Sequence, residues 1–184
     1  MNHYSDLWEM DNSVFKYNIT HRSYDQLYRE EQFSKYRFVF EEIGLKIGKV
    51  VLDVGCGTGL LIEYLLDRRI DYFKKYFCID PSIGMLSRVV EKKIFDNRIV
   101  LLNSYGEYIP LIDRIADSIF LFTVWDNVAD KEKLLSELFR ILSSNGFILI
   151  SIHEKSSSLK PVDLCSEFEL IGCRIDCFYV YTRE

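Results

Sequence analysis

Val50-Val51-Leu52-Asp53-Val54-Gly55-Cys56-Gly57-Thr58-Gly59 is the stretch that decides how this chain is read. It has the form of a buried strand closing on an acidic residue, Asp53, followed by a loop with glycine at alternate positions. An amphipathic helix from Leu60 to about Arg68 comes next. Glycines in such a loop let a ligand press against bare backbone, because no Cβ intervenes and positive φ is open to them. The helix behind the loop presents unpaired N–H groups at its first turn. Turns that bind dinucleotides use G-x-G-x-x-G, whereas here the third glycine arrives one residue early.

Composition sets the frame around this loop. A chain of 184 residues with 48% hydrophobic content is long enough for a single globular domain with a sizeable core. No run approaches the roughly 18 uninterrupted apolar residues that a membrane span requires. The first residues, Met1-Asn2-His3-Tyr4-Ser5-Asp6, lack the charged-then-apolar layout of a secretory signal, so the expected location is cytoplasmic. Of five cysteines, Cys56 lies in the glycine loop and Cys78 in an apolar run, positions suited to buried thiols rather than a disulfide framework. Cys165, Cys173 and Cys177 cluster without a local histidine or second pair, so no metal is expected. The net charge of −5 argues against a chain that clamps nucleic acid unaided.

Apolar runs alternate with helical patterns along the chain, as in a doubly wound α/β sheet. Strands are expected at 50–54, 76–80, 99–102, 118–123 and 147–152. Helices are expected at 60–68, 83–93 and 131–143, with Asp130 capping the last and Asn145-Gly146 ending it. Two final runs, 168–173 and 177–182, form an antiparallel hairpin about Arg174-Ile175-Asp176.

The loop at Asp53, Gly55 and Gly57 resembles motif I (E/D-x-G-x-G) of the class I S-adenosylmethionine-dependent methyltransferases, and other segments fall in register with that family. Phe77-Cys78-Ile79-Asp80-Pro81-Ser82 resembles its acidic second-strand end, and Ala116–Phe120 its fourth strand. Leu138–Leu142 through Asn145-Gly146-Phe147 is similar to its helix, turn and fifth strand. The resemblance runs from about Leu45 to the C-terminus. It implies a Rossmann-like seven-stranded sheet in the order 3-2-1-4-5-7-6, strand seven antiparallel, with helices on both faces. It also implies a division into an N-terminal helical lid (1–44) and a catalytic core (45–184).

The family likeness carries S-adenosyl-L-methionine as the expected cofactor. Gly55, Cys56, Gly57 and Gly59 would form the floor beneath it. Asp53 would hold its methionine end or merely order the loop. Asp80 would accept from both ribose hydroxyls, Pro81 beside it, unless it only caps the next helix. Tyr105 stands where many relatives place an acid that reads adenine, so Tyr105, with Ser104 or Asn103, is the candidate there, or else a turn residue covering the sheet edge. Thr123 closes the fourth strand against the cofactor. The following Val124-Trp125-Asp126-Asn127 lacks the proline pair of enzymes that methylate base amines or a glutamine amide. Trp125, Asp126 and Asn127 still lie beside the expected place of the reacting methyl, Trp125 and Asp126 being the candidates for a part in the chemistry, and Trp125 equally suits packing under the next helix. His153, at the end of the fifth strand, is the candidate general base, since histidines serve in that role near neutral pH; a structural role is the alternative.

An amphipathic helix from about Tyr24 to Ile43 places Leu27, Tyr28, Tyr36, Val39, Phe40 and Ile43 on one face. Tyr24-Asp25-Gln26-Leu27-Tyr28 resembles a segment that lies over the cofactor in small relatives, so Tyr24 and Tyr28 are expected to contact it. The acceptor is expected to be RNA or a translation-linked protein, reached through a small activator partner or as a homo- or hetero-dimer. A small metabolite, or a non-catalytic interaction subunit of the same fold, is the alternative.

Overall fold

The computed structural model describes residues 3–94 and 96–183, with side chains from residue 14 onward. The ends of the 1–44 and 45–184 segments at residues 1, 2 and 184 lie outside the described residues, as does Phe95. In chain order the elements are α1 (His3–Arg37) running into a wide π-turn (Phe38–Glu42), β1 (Val50–Val54), α2 (Leu60–Asp67), β2 (Lys75–Ile79), α3 (Ile83–Glu91), β3 (Ile99–Leu102) and β4 (Ala116–Phe122). There follow a short 3-10 turn (Trp125–Asn127), α4 (Lys131–Ile141), β5 (Leu142–His153), α5 (Pro161–Leu164), β6 (Glu169–Cys173) and β7 (Asp176–Thr182).

The strands form one seven-stranded sheet in the order β3-β2-β1-β4-β5-β7-β6. β1 through β5 run parallel, and β7 lies antiparallel against β5 and β6. Side chains alternate across each strand. Val51, Phe120, Phe122 and Leu149 therefore join Tyr36, Val39, Phe40, Leu61 and Leu65 on the face covered by α1 and α2. Leu52, Val54, Ile119, Leu121, Ile148 and Ile150 face α4 through Leu134, Leu135, Leu138 and Ile141. Each such aliphatic side chain, fully buried, is worth about 1.5–3 kcal/mol, so the two layers hold the sheet between its helices.

Three local expectations are corrected. α1 begins at His3 rather than near Tyr24; Phe15, Ile19 and Leu27 stand exposed along it, so its apolar residues give no clean period that marks the start. α4 ends at Ile141, not at Asn145-Gly146: Leu142 turns extended and already pairs with Ala116 of β4, so β5 starts there. Ser143 then donates to Asp117, and Asn145 takes a left-handed φ of 61° within the strand's first stretch. Cys173 and Cys177, in a chain not expected to carry a disulfide framework, are joined in a disulfide across the β6–β7 turn. Antiparallel strands bring them opposite one another, a proximity that residue spacing alone does not show. No described helix is long and apolar enough to cross a membrane.

Candidate active site

A cleft opens where β1, β2, β3 and β4 end, the place at which ligands meet an open α/β sheet. Its floor is the glycine loop. Gly55 and Cys56 donate their backbone N–H groups to the Ile79 carbonyl at 2.7 and 3.0 Å, pinning the loop to the end of β2. Gly55 has φ +72°, and a Cβ there would sit 2.3 Å from a methyl of Val124, so only glycine lets the segment after β4 approach. Gly57 has φ +55° and faces open space. That space is the cleft itself.

Asp80 follows β2 and is buried. One carboxylate oxygen accepts from Gly57 N–H at 2.9 Å and the other from Ser82 N–H at 2.8 Å. Ser82, not Asp80, caps α3 by accepting from Met85 N–H. Burial pushes the Asp80 carboxyl up to about 6 against the pull of those two amides. Asp53 lies deeper, accepts from the Tyr76 hydroxyl at 2.8 Å, and is pushed up by burial to about 7. Both carboxylates thus sit in a medium where a neutral partner leaves them partly protonated, and a cationic partner would ionise them.

The opposite wall begins with Thr123, whose φ of 59° is unusual for a β-branched residue. Its hydroxyl donates to Asp176 at 3.0 Å and accepts from Lys35 at 2.9 Å and Gln32 at 3.3 Å. Its backbone N–H donates to Ser151, which in turn donates to Asp176 at 2.7 Å. Lys35 and Asp176, both fully buried, form an ion pair at 3.0 Å. Strain at this position is held by four side chains from α1, β5 and β7.

α1 crosses above the cleft. Asn18 accepts from the Ser82 hydroxyl at 2.7 Å and Gly84 N–H at 3.0 Å. Thr58 of the glycine loop donates to Asp25, which also pairs with Lys92 at 2.7 Å. Asn127 donates to the Tyr17 hydroxyl at 3.4 Å. Val14, Tyr17 and Tyr24 form the inner surface of this crossing.

Of the residues expected at the site, the structure gathers Gly55, Gly57, Asp80, Pro81, Ser104, Tyr105, Thr123 and Tyr24 around the cleft. Asp53 and Cys56 line a smaller adjoining cavity behind the loop. Gly59 instead takes φ +78° as the N-cap of α2. Tyr28, half exposed, packs against Tyr24 with ring centroids 4.8 Å apart and the planes tilted by 45°. Asn103 is spent on the Asp80 and Pro81 carbonyls, and Ser104 donates to the Tyr108 carbonyl.

The three residues expected to carry chemistry lie elsewhere. Trp125 is wholly buried in the α4-side core and donates its indole N–H to the Leu159 carbonyl. Asp126 is exposed and accepts from Ser156. His153, paired with Asp176 across the β5–β7 ladder, accepts from Lys155 N–H through Nδ1. The 3-10 turn after β4 swings Trp125 and Asp126 away and leaves Asn127 facing the cleft. Asn127, expected beside the reacting methyl, lines the cleft, whereas Val14, Tyr17 and Glu107 were missed, as were Gln32, Lys35 and Asp176. A signal existed for one of them: Lys35 falls between Tyr28 and Val39 on the apolar face of its helix, where a lysine requires a buried acid.

Asp53, Cys56 and Cys78 place three possible metal donors within 4.8 Å of one another, all buried. Burial pushes the Cys56 and Cys78 thiols up, so the two pack as neutral thiols.

The family model described as a methyltransferase domain matches residues 52–150. This chain belongs to the methyltransferase domain family. An uncharacterized methyltransferase of Geobacillus thermodenitrificans is 30% identical over 139 residues, 73% of this chain and 60% of that protein. A ubiquinone/menaquinone biosynthesis C-methyltransferase of Campylobacter jejuni is 29% identical over 129 residues, 68% of this chain and 54% of that one. This methyltransferase-family chain thus spans only 54–60% of the length of these curated relatives. Among solved structures, a SAM-dependent methyltransferase from Aquifex aeolicus superposes with a TM-score of 0.60 at 25% identity, covering 83% of this chain and 96% of that one.

Proposed function

We propose that the cleft binds S-adenosyl-L-methionine and that the chain transfers its methyl group to a small acceptor lacking an anionic group. The observation that carries this reading is the pairing of Gly57, open to the cleft with no Cβ, with an Asp80 carboxylate whose two oxygens are oriented by backbone N–H groups. A ribose-bearing ligand fits: each Asp80 oxygen keeps lone pairs for a hydroxyl, and the loop lets it lie against the backbone.

When bound, this cofactor supplies a methyl group already activated on a sulfonium. The protein therefore has to align the acceptor and keep water out, and a strong base is unnecessary when the acceptor is nucleophilic. In this reading Asp80 holds the ribose, Asp53 the amino-acid end, and Tyr105 the adenine side. Tyr24 covers the sulfur region as part of a lid formed by α1, with residues 1–44 as the lid segment. Thr123 and Val124 press the acceptor toward the loop, and Asn127 and Tyr17 offer it polar contacts. Tyr24 keeps its hydroxyl proton, because burial raises it. No lysine, arginine or histidine lines the cleft among the described residues, while Asp80 and Glu107 do. An anionic acceptor would meet like charge without a partner.

The ties from Asn18, Asp25 and Tyr17 hold α1 across the opening, which favours a small acceptor over the RNA or translation-linked protein that the sequence suggests. Phe15, Ile19 and Leu27, exposed on that same helix, support a second reading in which an activator or second copy repositions α1 for a macromolecular acceptor. Titration calorimetry with S-adenosylmethionine tests the first half: well-folded protein without detectable binding sinks it. Incubating the protein and radiolabelled cofactor with an extract from cells lacking it tests the second. Label in the small-molecule fraction supports the small acceptor, and label confined to RNA or protein overturns it.

A further inference from the structure

Behind the glycine loop, continuous with the main cleft through Tyr24, Gly55, Gly57 and Phe122, lies a small cavity that Gln32, Asp53, Tyr36, Cys56 and Thr58 help to line. Its single charged lining group is Asp53, and no cationic side chain borders it among the described residues. Gln32 reaches it from α1 and is 5% exposed.

The orientation of the Gln32 amide follows from its neighbour. Thr123 Oγ1 gives its one proton to Asp176, so toward Gln32 it can only accept. The Gln32 NH2 therefore faces Thr123, as observed at 3.3 Å, and the carbonyl Oε1 faces the other way. That oxygen is buried and has no hydrogen-bond partner. A buried acceptor left unmatched carries a desolvation penalty, and few persist in native proteins without a ligand or water to meet them. Gln32 and Asp53, each offering an acceptor oxygen, line the same small cavity, and no cationic side chain lines it among the described residues. The complementary ligand group is a compact cation with several N–H donors.

We propose that Gln32 is a specificity-determining residue: its side-chain carbonyl and the Asp53 carboxylate together receive the N–H groups of a primary ammonium, the α-ammonium at the amino-acid end of the bound nucleoside. The inference rests on the reading of the cleft as an S-adenosylmethionine site. It also joins ligand recognition to α1, since Gln32 shares Thr123 with Lys35 one helical turn away.

Calorimetry with S-adenosylhomocysteine and with its α-deamino analogue, on the unmodified protein and on Gln32→Met and Gln32→Glu, separates the alternatives. Gln32→Met should weaken S-adenosylhomocysteine by about tenfold to a hundredfold, the range for a lost hydrogen bond to a charged group, and the analogue by less than about threefold. Gln32→Glu at pH 8 keeps an acceptor toward the ammonium but no donor toward Thr123, and should hold S-adenosylhomocysteine within about threefold. Equal loss of both ligands in Gln32→Met, or a Gln32→Glu variant as weak as Gln32→Met, overturns the assignment. If neither variant folds, the side-chain amide signal of Gln32 in the unmodified protein decides: a shift with S-adenosylhomocysteine and none with the analogue supports the contact, and the same response to both removes it. Folded, unmodified protein that binds neither ligand instead removes the methyltransferase reading on which the proposal stands.

Discussion

The two walls of the cleft are made in different ways. The wall at β1 and β2 is backbone: a loop pinned by two N–H groups on Ile79, a carboxylate set by two more, and glycines where a side chain would intrude. The wall at β4 is a network of side chains, in which Thr123 is held left-handed by Gln32, Lys35, Ser151 and Asp176. The first wall is contained in about thirty consecutive residues, whereas the second draws on residues from Gln32 to Asp176. A backbone wall tolerates most distant substitutions and fails at single glycines. A network wall should fail wherever one partner of a buried charge is removed.

Asp176→Ala is the severest test of this contrast. It leaves the buried Lys35 ammonium with only the partly exposed Glu31 carboxylate, 2.7 Å away, and deprives Thr123 and Ser151 of their acceptor, so it should cost about 3 kcal/mol of stability in urea unfolding. Pairing it with Lys35→Met removes the under-compensated buried charge and should recover part of the loss. A single variant within about 1 kcal/mol of the parent shows that the wall does not depend on this pair.

The carboxylates of the first wall make a pH signature of opposite sense to ordinary paired acids. Asp53 is raised from its usual range to about 7 and Asp80 to about 6. The folded state therefore holds protons that the unfolded chain has lost. These two groups should make stability fall as pH rises from about 4 to about 7, and level off above that. Asp53→Asn, which still accepts from Tyr76, should flatten this dependence and raise stability at pH 8 by roughly 2–3 kcal/mol. Thermal unfolding across pH checks it, and an unchanged slope would show that Asp53 is not the buried acid responsible.

The smallest effects come from the glycines and sharpen the comparison most. Gly55→Ala drives a Cβ into Val124 at a positive φ, and should cost about 2 kcal/mol through clash and strain together. Gly57→Ala meets only open space, so its stability cost should be about 1 kcal/mol from the left-handed backbone alone. In the proposed site its methyl group would take the ligand's place, so cofactor affinity should fall well below that of Gly55→Ala measured on folded protein. Equal affinities in the two variants would mean that the ligand does not lie on Gly57.

The backbone wall was legible because its causes are local. The β1 strand, the alternating glycines, Asp80 at the end of β2 and the Ser82 cap all follow from neighbours within a few residues. Trp125 and Asp126 lie outside the cleft because the segment after β4 does not point at it as a whole. The 3-10 turn rotates Trp125 into the core within two residues of Thr123, and an apolar indole gains more from that burial than from a wet mouth. The early start of α1 was hidden by apolar residues that its exposed face retains.

The sequence by itself determined the order of elements, the parallel sheet with its reversed final strand, and the place of the glycine loop and Asp80. Apolar periodicity, turn chemistry and capping act over a few residues and are written in order along the chain. Only the tertiary structure decided which side chains meet across the cleft: Gln32 and Lys35 from α1, Thr123 after β4, Ser151 on β5 and Asp176 at the start of β7. Their meeting depends on the register of β5 against β7 and on where α1 lies over the sheet. Those are set by packing summed over both layers, so no short stretch of residues carries them.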